Sequence, residues 1–279
     1  LQPKMMSIDQ WSDAIIAART NDGKGADDQW IQYAKLAKAY KGGYIDLSVN
    51  PNPITAFGDV DDYVFMDTNW QDVLFGNAGS TQHNLSVSGG NDKSLYRLSV
   101  GYMYDDSNLK WGNNKNQRYN FRLSNTFHLT KNFDLESIIF YYRQDQVSPT
   151  QIGEALTAGT QQPGFPSSTM DGKPYAWGNW ATPNWRCELG GDNKLNTSGI
   201  NISENLKYKL TSYLDAVVNL GYNTSTATRD AVKNSITWYT YDGTLSTAKP
   251  NAIYNPNQAS TEYSKSFART DYYSVSGYL

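Results

Sequence analysis

Hydrophobic and polar positions along this chain follow two different periods. Up to about residue 40 apolar side chains recur at helical spacing. Ser7-Ile8-Asp9-Gln10 has the form of a capping box, with a side-chain acceptor at the N-cap and Gln three residues on. Met6, Trp11, Ile15 and Ile16 then share a face. A second helix is expected from Asp27 to Tyr40, with Trp30, Tyr33, Ala34, Ala37 and Tyr40 or Leu36 along one side and Gly42-Gly43 ending it. Pro51, Pro53 and Gly58 mark an irregular segment up to about Phe65.

From residue 82 the period becomes two, the repeat of a strand with unlike faces. Strands are expected at 82–88, 94–104, 119–128, 133–143, 200–210 and 213–224, with a weaker one at 266–279. In 94–104, Tyr96, Leu98, Val100, Tyr102 and Tyr104 oppose Leu95, Arg97, Ser99, Gly101 and Met103. In 119–128, Tyr119, Phe121, Leu123 and Phe127 oppose Asn120, Arg122, Ser124, Thr126 and His128. In 200–210, Ile200, Ile202, Leu206, Tyr208 and Leu210 oppose Asn201, Ser203, Asn205, Lys207 and Lys209.

The links between strands alternate strictly. Short ones at 89–93, 130–132 and 211–212 exchange with long ones at about 105–118, 145–198 and 225–265. A sandwich carries mixed loops at both ends, whereas an outer-membrane barrel has short turns inside and long loops outside. The expected fold is therefore all-β: part of a large antiparallel transmembrane β-barrel with long, partly helical extracellular loops. With short turns placed on the periplasmic side, Tyr102, Tyr104, Tyr119, Tyr141, Tyr142 and Tyr222 fall near the outer strand ends. Tyr96, Phe127, Phe133, Tyr208 and Tyr213 fall near the inner ends, so two aromatic belts are expected. Glu204 conflicts with this pattern, because it sits on an apolar face; a local bulge or a position near an interface would explain it.

Composition narrows the classes. The 279 residues include 21 Tyr, 8 Trp and 9 Phe, and the net charge is −3. The pI of about 5.4 and the scattered Lys and Arg argue against a nucleic-acid partner. Mean hydropathy is −0.63 and no apolar run approaches the roughly 18 residues of a spanning helix. That leaves a barrel open, since its strands meet lipid only at every second residue. One cysteine, Cys187, gives no disulfide framework or cysteine metal site. The chain begins at Leu1 and ends at Tyr278-Leu279 inside an expected strand, so it is expected to be an internal piece of a longer protein.

Residues 68–102 carry a specific resemblance. Thr68-Asn69-Trp70-Gln71-Asp72-Val73-Leu74-Phe75 precedes Gln82-His83-Asn84-Leu85-Ser86-Val87-Ser88-Gly89-Gly90, and Asp92-Lys93-Ser94-Leu95-Tyr96-Arg97-Leu98-Ser99-Val100-Gly101-Tyr102 follows. This stretch resembles the SusC/RagA-like TonB-dependent transporters of Bacteroidetes outer membranes. The resemblance implies a barrel of about 22 strands with a plugged lumen, outer-membrane lipid around it, a TonB contact upstream and a SusD-like surface lipoprotein as lid. It implies oligosaccharides or peptides as cargo. Residues 1–81 would form an extracellular loop region with short helices and 82–279 the barrel strands, while the plug and remaining strands lie outside this sequence.

No catalytic constellation stands out and no cofactor is expected. His83 and His128 are the only histidines; the first is in the family motif, the second at a strand end, and neither is expected to be catalytic. Cys187 has no partner in sequence and reads as an incidental thiol. Asp59, Asp61 and Asp62, and likewise Asp105-Asp106-Ser107-Asn108, offer oxygens for Ca²⁺ but lack the Gly and distal Glu of an EF-hand, so solvated loops are expected and no metal site is assigned. Tyr175, Trp177, Trp180 and Trp185 sit among Gly, Asn and Pro in the longest loop. They are candidates for substrate or lid contact, against a loop that packs its own aromatics. Arg97, Arg122, Lys207 and Lys209 face away from the apolar side and are expected to line the lumen. Two other classes compete: a secreted β-sandwich carbohydrate-binding module, whose apolar strand face would be buried on a second sheet, and a β-stranded glycoside hydrolase. The latter needs paired carboxylates, and no spacing singles out a pair among Glu136, Glu154, Glu188 and Glu204.

Overall fold

The computed structural model describes residues 4–54, 56–57, 60–157, 161–178, 180–246 and 261–279. Helix α1 (Ile8–Asn21) starts on the expected capping box: Ser7 Oγ accepts from the Gln10 N–H, and the Gln10 side chain returns to the Ser7 N–H. Helix α2 (Gln29–Ala39) is capped by Asp28, which accepts from the N–H groups of Trp30 and Ile31. It buries Ile31, Tyr33, Ala34 and Ala37, close to the face the spacing predicts. A two-stranded pair follows, β1 (Tyr44–Asp46) with β2 (Asp62–Val64). Then comes α3 (Trp70–Leu74), a single turn capped by Asn69, which periodicity did not predict because it is too short to show one.

The wall of the molecule comprises β3 (Ser80–Asn91), β4 (Ser94–Asp106), β5 (Lys115–Thr130) and β6 (Phe133–Pro149). The chain then leaves through α4 (Gly153–Leu156), the pair β7 (Ala176–Trp177) and β8 (Trp180–Ala181), and α5 (Pro183–Leu189). It returns as β9 (Asp192–Lys209), β10 (Asp215–Lys233) and β11 (Glu262–Tyr278). The seven long strands form one antiparallel sheet in the order β11-β10-β9-β6-β5-β4-β3.

Opposed residues share a face, so register converts the sequence alternation into rows. One row runs Leu85, Val100, Phe121, Tyr141, Ile200, and the next Val87, Leu98, Leu123, Ile139, Ile202, Tyr222, Tyr273. On the other face, Ser86, Ser99 and Arg122 align, as do Ser88, Arg97 and Ser124. Among the described residues no second sheet covers the apolar rows, since the other two sheets are the small pairs β1-β2 and β7-β8. Leu85 remains 72% exposed and Phe121 36%. A sandwich would bury those side chains, so that alternative is corrected here.

The strands run farther than their periodicity predicts. β5 begins at Lys115, not 119; β6 ends at Pro149, not 143; β9 begins at Asp192, not 200; β10 ends at Lys233, not 224. These four extensions are at the long-loop end, where Asn116, Gln144, Asp145, Asn193 and Asn196 still pair in register. Alternation is a signature of unlike surroundings; where both faces meet water it disappears while the ladder continues. The long links shrink accordingly to 107–114, 150–191 and 234–261. At the other end, Asn91 pairs with Ser94, leaving only Asp92 and Lys93 in the turn, and the 211–212 link widens to 210–214.

Glu204 lies in unbroken register, opposite Ser137 on β6 and Leu220 on β10. The one register shift in these pairings is between His128 and Thr130, so a bulge does not explain Glu204. Its carboxylate instead accepts from Ser137 Oγ at 2.7 Å, and Asn125 is opposite Ser137 in the same row.

Candidate functional site

Two parts of the molecule bear on function: the long loops and the polar face of the wall. The loops fold into a platform with its own core, in which Tyr33, Tyr63, Phe65, Trp70 and Tyr175 are fully buried. The Asn69-Trp70-Gln71-Asp72 motif anchors it. Trp70 Nε1 donates to the Gln162 carbonyl at 3.0 Å, Trp111 Nε1 donates to the Val73 carbonyl at 2.7 Å, and Phe75 bridges to Leu109. The motif thus ties the β4–β5 and β6–β9 links together.

The four loop aromatics gather here and face inward. Tyr175 OH donates to Asp62 Oδ1 at 2.8 Å, and Trp177 Nε1 donates to the Asp62 carbonyl at 2.8 Å. Trp180 Nε1 donates to Gln161 Oε1 at 2.9 Å, with its ring 4.3 Å from Phe165 and 5.8 Å from Trp70. Trp185 Nε1 donates to Ser168 Oγ at 3.1 Å, and its ring lies 5.4 Å from Trp111. Tyr175 and Trp177 are buried and the other two half-buried. The structure places them as packing residues, and direct contact of Tyr175 or Trp177 with a ligand would need the platform to open.

Asp62, expected with Asp61 in a solvated loop, is instead buried, because its carboxylate is the hub of this platform. Its Oδ2 accepts from the Tyr241 N–H at 2.7 Å, so one carboxylate ties together the 44–65, 161–191 and 234–246 stretches. Burial pushes its pKa up to about 6, against the lowering effect of the Tyr241 N–H and the Tyr175 hydroxyl; Asp61 and Asp242 add to the rise. The only signal in sequence was an acid beside Tyr63 and Phe65 in an aromatic-rich stretch. A cleft of about 460 Å³ opens beside it, lined by Tyr44, Asp46, Leu47, Asp61, Asp62 and Asp242. Ser246 Oγ donates to Asp61 at 2.6 Å, while Asp59 lies outside the described residues. Among the described residues no three His, Cys, Asp or Glu are arranged to hold a metal ion. Asp105 accepts from Ser80 Oγ across the β3–β4 pair, and Asp106 accepts from the Ser107 N–H at 3.0 Å where the chain leaves β4.

On the wall, Arg97 and Arg122 stand exposed on the polar face. Lys207 Nζ lies 2.8 Å from Asp215 Oδ2, and Lys209 is opposite Asp215 in register. His128 Nδ1 is 2.7 Å from Asp134 Oδ1 at the same end of the sheet. His83 stacks 6.4 Å from Tyr102 on the apolar side. Glu136 and Glu204 fall on opposite faces and Glu188 is in α5, so these three share no cleft; the Glu154 side chain lies outside the described residues. Cys187 is buried, its Sγ 3.8 Å from the Gln151 carbonyl.

A single sheet of long antiparallel strands, apolar on one face and polar on the other, with short turns at one end and folded loops at the other, is the wall of a large transmembrane β-barrel. No family model matches the chain. The TonB-dependent receptor SusC of Bacteroides thetaiotaomicron is 30% identical over 123 residues, which is 42% of this chain and 12% of that protein. The RagAB peptide importer in its "closed-closed" state superposes with a TM-score of 0.55 at 16% identity, covering 86% of this chain and 27% of that one. Its "open-open" state gives 0.52 at 14% identity over the same shares. The chain thus resembles SusC and RagA over part of their length, spanning about an eighth of the first and about a quarter of the solved importer chain, and shares their barrel fold.

Proposed function

We propose that this chain forms wall and outer loops of an importer in the outer membrane of a Gram-negative, Bacteroidetes-type bacterium. The importer takes in oligosaccharides or peptides, works with a SusD-like surface lipoprotein seated over the outer loops, and is energised through a TonB contact carried elsewhere in the protein. The observation that carries this reading is the uncovered apolar face, whose rows of Leu, Val, Ile, Phe and Tyr need lipid. Residues 1–81 and the long links belong to the extracellular side, and 82–279 supplies the wall. Arg97, Arg122, Lys207 and Lys209 line the lumen. Tyr175, Trp177, Trp180 and Trp185 serve lid and cargo from beneath, by holding rigid the platform on which contact is made. Support for the partner and cargo comes from the motif at 68–102 and from the relatives named above.

Native mass spectrometry of the full-length protein, extracted in detergent from its own outer membrane, tests the reading. The expected species is several times heavier than 31.3 kDa and carries a second, lipidated polypeptide. A soluble species recovered without detergent would sink the proposal.

A further inference from the structure

The pattern Thr-x-Asp-Gly occurs three times in the chain, as Thr20-Asn21-Asp22-Gly23, Thr169-Met170-Asp171-Gly172 and Thr240-Tyr241-Asp242-Gly243. Each makes the same bend. The glycine N–H donates to the threonine carbonyl, at 3.0, 3.1 and 2.9 Å in turn. The glycines have φ of 76°, 80° and 90°, where a side chain would be strained. The first copy ends helix α1, and nothing lies within 4 Å of where a Gly23 side chain would begin. The other two stand in different links and meet each other.

These two turns close alike. The Thr169 N–H donates to the Lys173 carbonyl and the Thr240 N–H to the Thr244 carbonyl, both at 3.0 Å. Thr169 Oγ1 donates to Asp171 Oδ1 at 2.6 Å, and Thr240 Oγ1 donates to Asp242 Oδ1 at 2.5 Å. The Met170 N–H then joins them, donating to the Tyr241 carbonyl at 2.9 Å. Lys173 Nζ donates to the Gly243 carbonyl at 3.3 Å, pairs with Asp171 at 2.6 Å and stands 4.9 Å from the centre of the Tyr239 ring. The Asp171 carboxylate covers Gly243, where a Cβ would lie 2.9 Å from both oxygens.

The second turn is also a wall of the cleft beside Asp62. Thr240, Asp242, Thr244 and Leu245 line one side of that cleft, with Tyr44 and Asp61 on the other. The wall is gripped from both sides: the Tyr241 N–H faces Asp62 Oδ2 at 2.7 Å, while the Tyr241 carbonyl takes the Met170 N–H. Little apolar burial holds it. Beside the half-buried Tyr241 its residues are Thr, Asp and Gly, and Leu245 is 58% exposed. Segments held by hydrogen bonds more than by packed apolar surface open first. An exposed ion pair adds little alone, but the three contacts of Lys173 end on one ammonium and are lost together. Its side chain is 44% exposed, so solvent reaches it. We infer that the Thr169–Lys173 turn is a catch that holds the Thr240–Thr244 turn in place as the cleft wall, with Lys173 as the pin whose release widens the cleft. The device is local: the apolar core beneath the links stays packed in either position, and only the mouth of the cleft changes.

Hydrogen exchange of the full-length protein, read at single amides by mass spectrometry, tests this. In Lys173→Met the Tyr241 amide is expected to exchange several-fold faster than in wild type. The Val73 and Phe75 amides, which donate to the Asn69 and Gln71 carbonyls, are expected to keep their rates. Lys173→Arg retains the cation and is expected to stay close to wild type. Unchanged Tyr241 exchange in Lys173→Met overturns the inference. So does a rise shared equally by Val73 and Phe75, which would make the contact a general support of the platform. A Tyr241 amide that exchanges without protection in the wild type overturns it as well, because the wall would then not be held. Should Lys173→Met not assemble, Gly243→Ala is read in its place by the same criteria, since its Cβ presses on Asp171 from the other side.

Discussion

Asp62 shows how one side chain organises the long loops. Its carboxylate is buried, accepts from Tyr175 and Tyr241, and has a pKa pushed up to about 6. A carboxyl whose folded pKa lies above its unfolded value of about 3.9 binds its proton more tightly when folded. The penalty for holding it charged is fully present above pH 6 and is relieved as pH falls from about 6 toward 4. A shift of about two units corresponds to roughly 3 kcal/mol over that window. Hydrogen exchange at the Tyr241 amide should slow on acidification from pH 7 to 5, and Asp62→Asn should flatten that dependence. Exchange that is equally pH-dependent in the variant, after correction for intrinsic rates, would remove Asp62 as the cause. Trp70 gives a second prediction. Trp70→Ala removes a fully buried ring and its bond to Gln162, and such losses cost about 3–5 kcal/mol. Limited proteolysis should cut the 161–191 stretch faster in that variant, and unchanged cleavage would show that the anchor is dispensable.

At the scale of elements, legibility followed the solvent. Strand alternation is visible where one face of the sheet is apolar and the other polar, and there the sequence pattern and the observed rows agree closely. Residues such as Asn116, Gln144 and Asn193 extend the same ladders with polar side chains on both faces, so nothing in their polarity announces a strand. Helix α1 was legible because its capping box is local, and α3 was not because one turn has no period. The platform core was illegible for a different reason: Asp62, Trp177 and Tyr241 are distant in sequence, and only folding brings them together. Glu204 is the reverse case, an apparent contradiction that the register confirms. Its partner Ser137 and neighbour Asn125 make a polar break in the apolar face. If that face meets lipid, Glu204→Arg should destabilise the assembled barrel by about 2–4 kcal/mol in lipid vesicles, the cost of a cation near mid-depth. Urea unfolding that is unchanged by the substitution would place Glu204 away from lipid.

At the scale of the whole molecule, the platform joins stretches that the sheet keeps apart. Leu109 from the β4–β5 link, Phe165, Tyr175 and Cys187 from the β6–β9 link, and Tyr241 from the β10–β11 link all pack in or against one core with α1, α2 and α3. Polar contacts reinforce it: the Gly112 N–H donates to Glu188 at 2.7 Å, and the Asn234 N–H donates to the Gly190 carbonyl at 3.0 Å. Three long links that share one interior cannot flap independently; they tilt together or stay still. This end of the sheet is therefore braced like the fixed jaw of a clamp, and a pull on any one of the links is felt by all three.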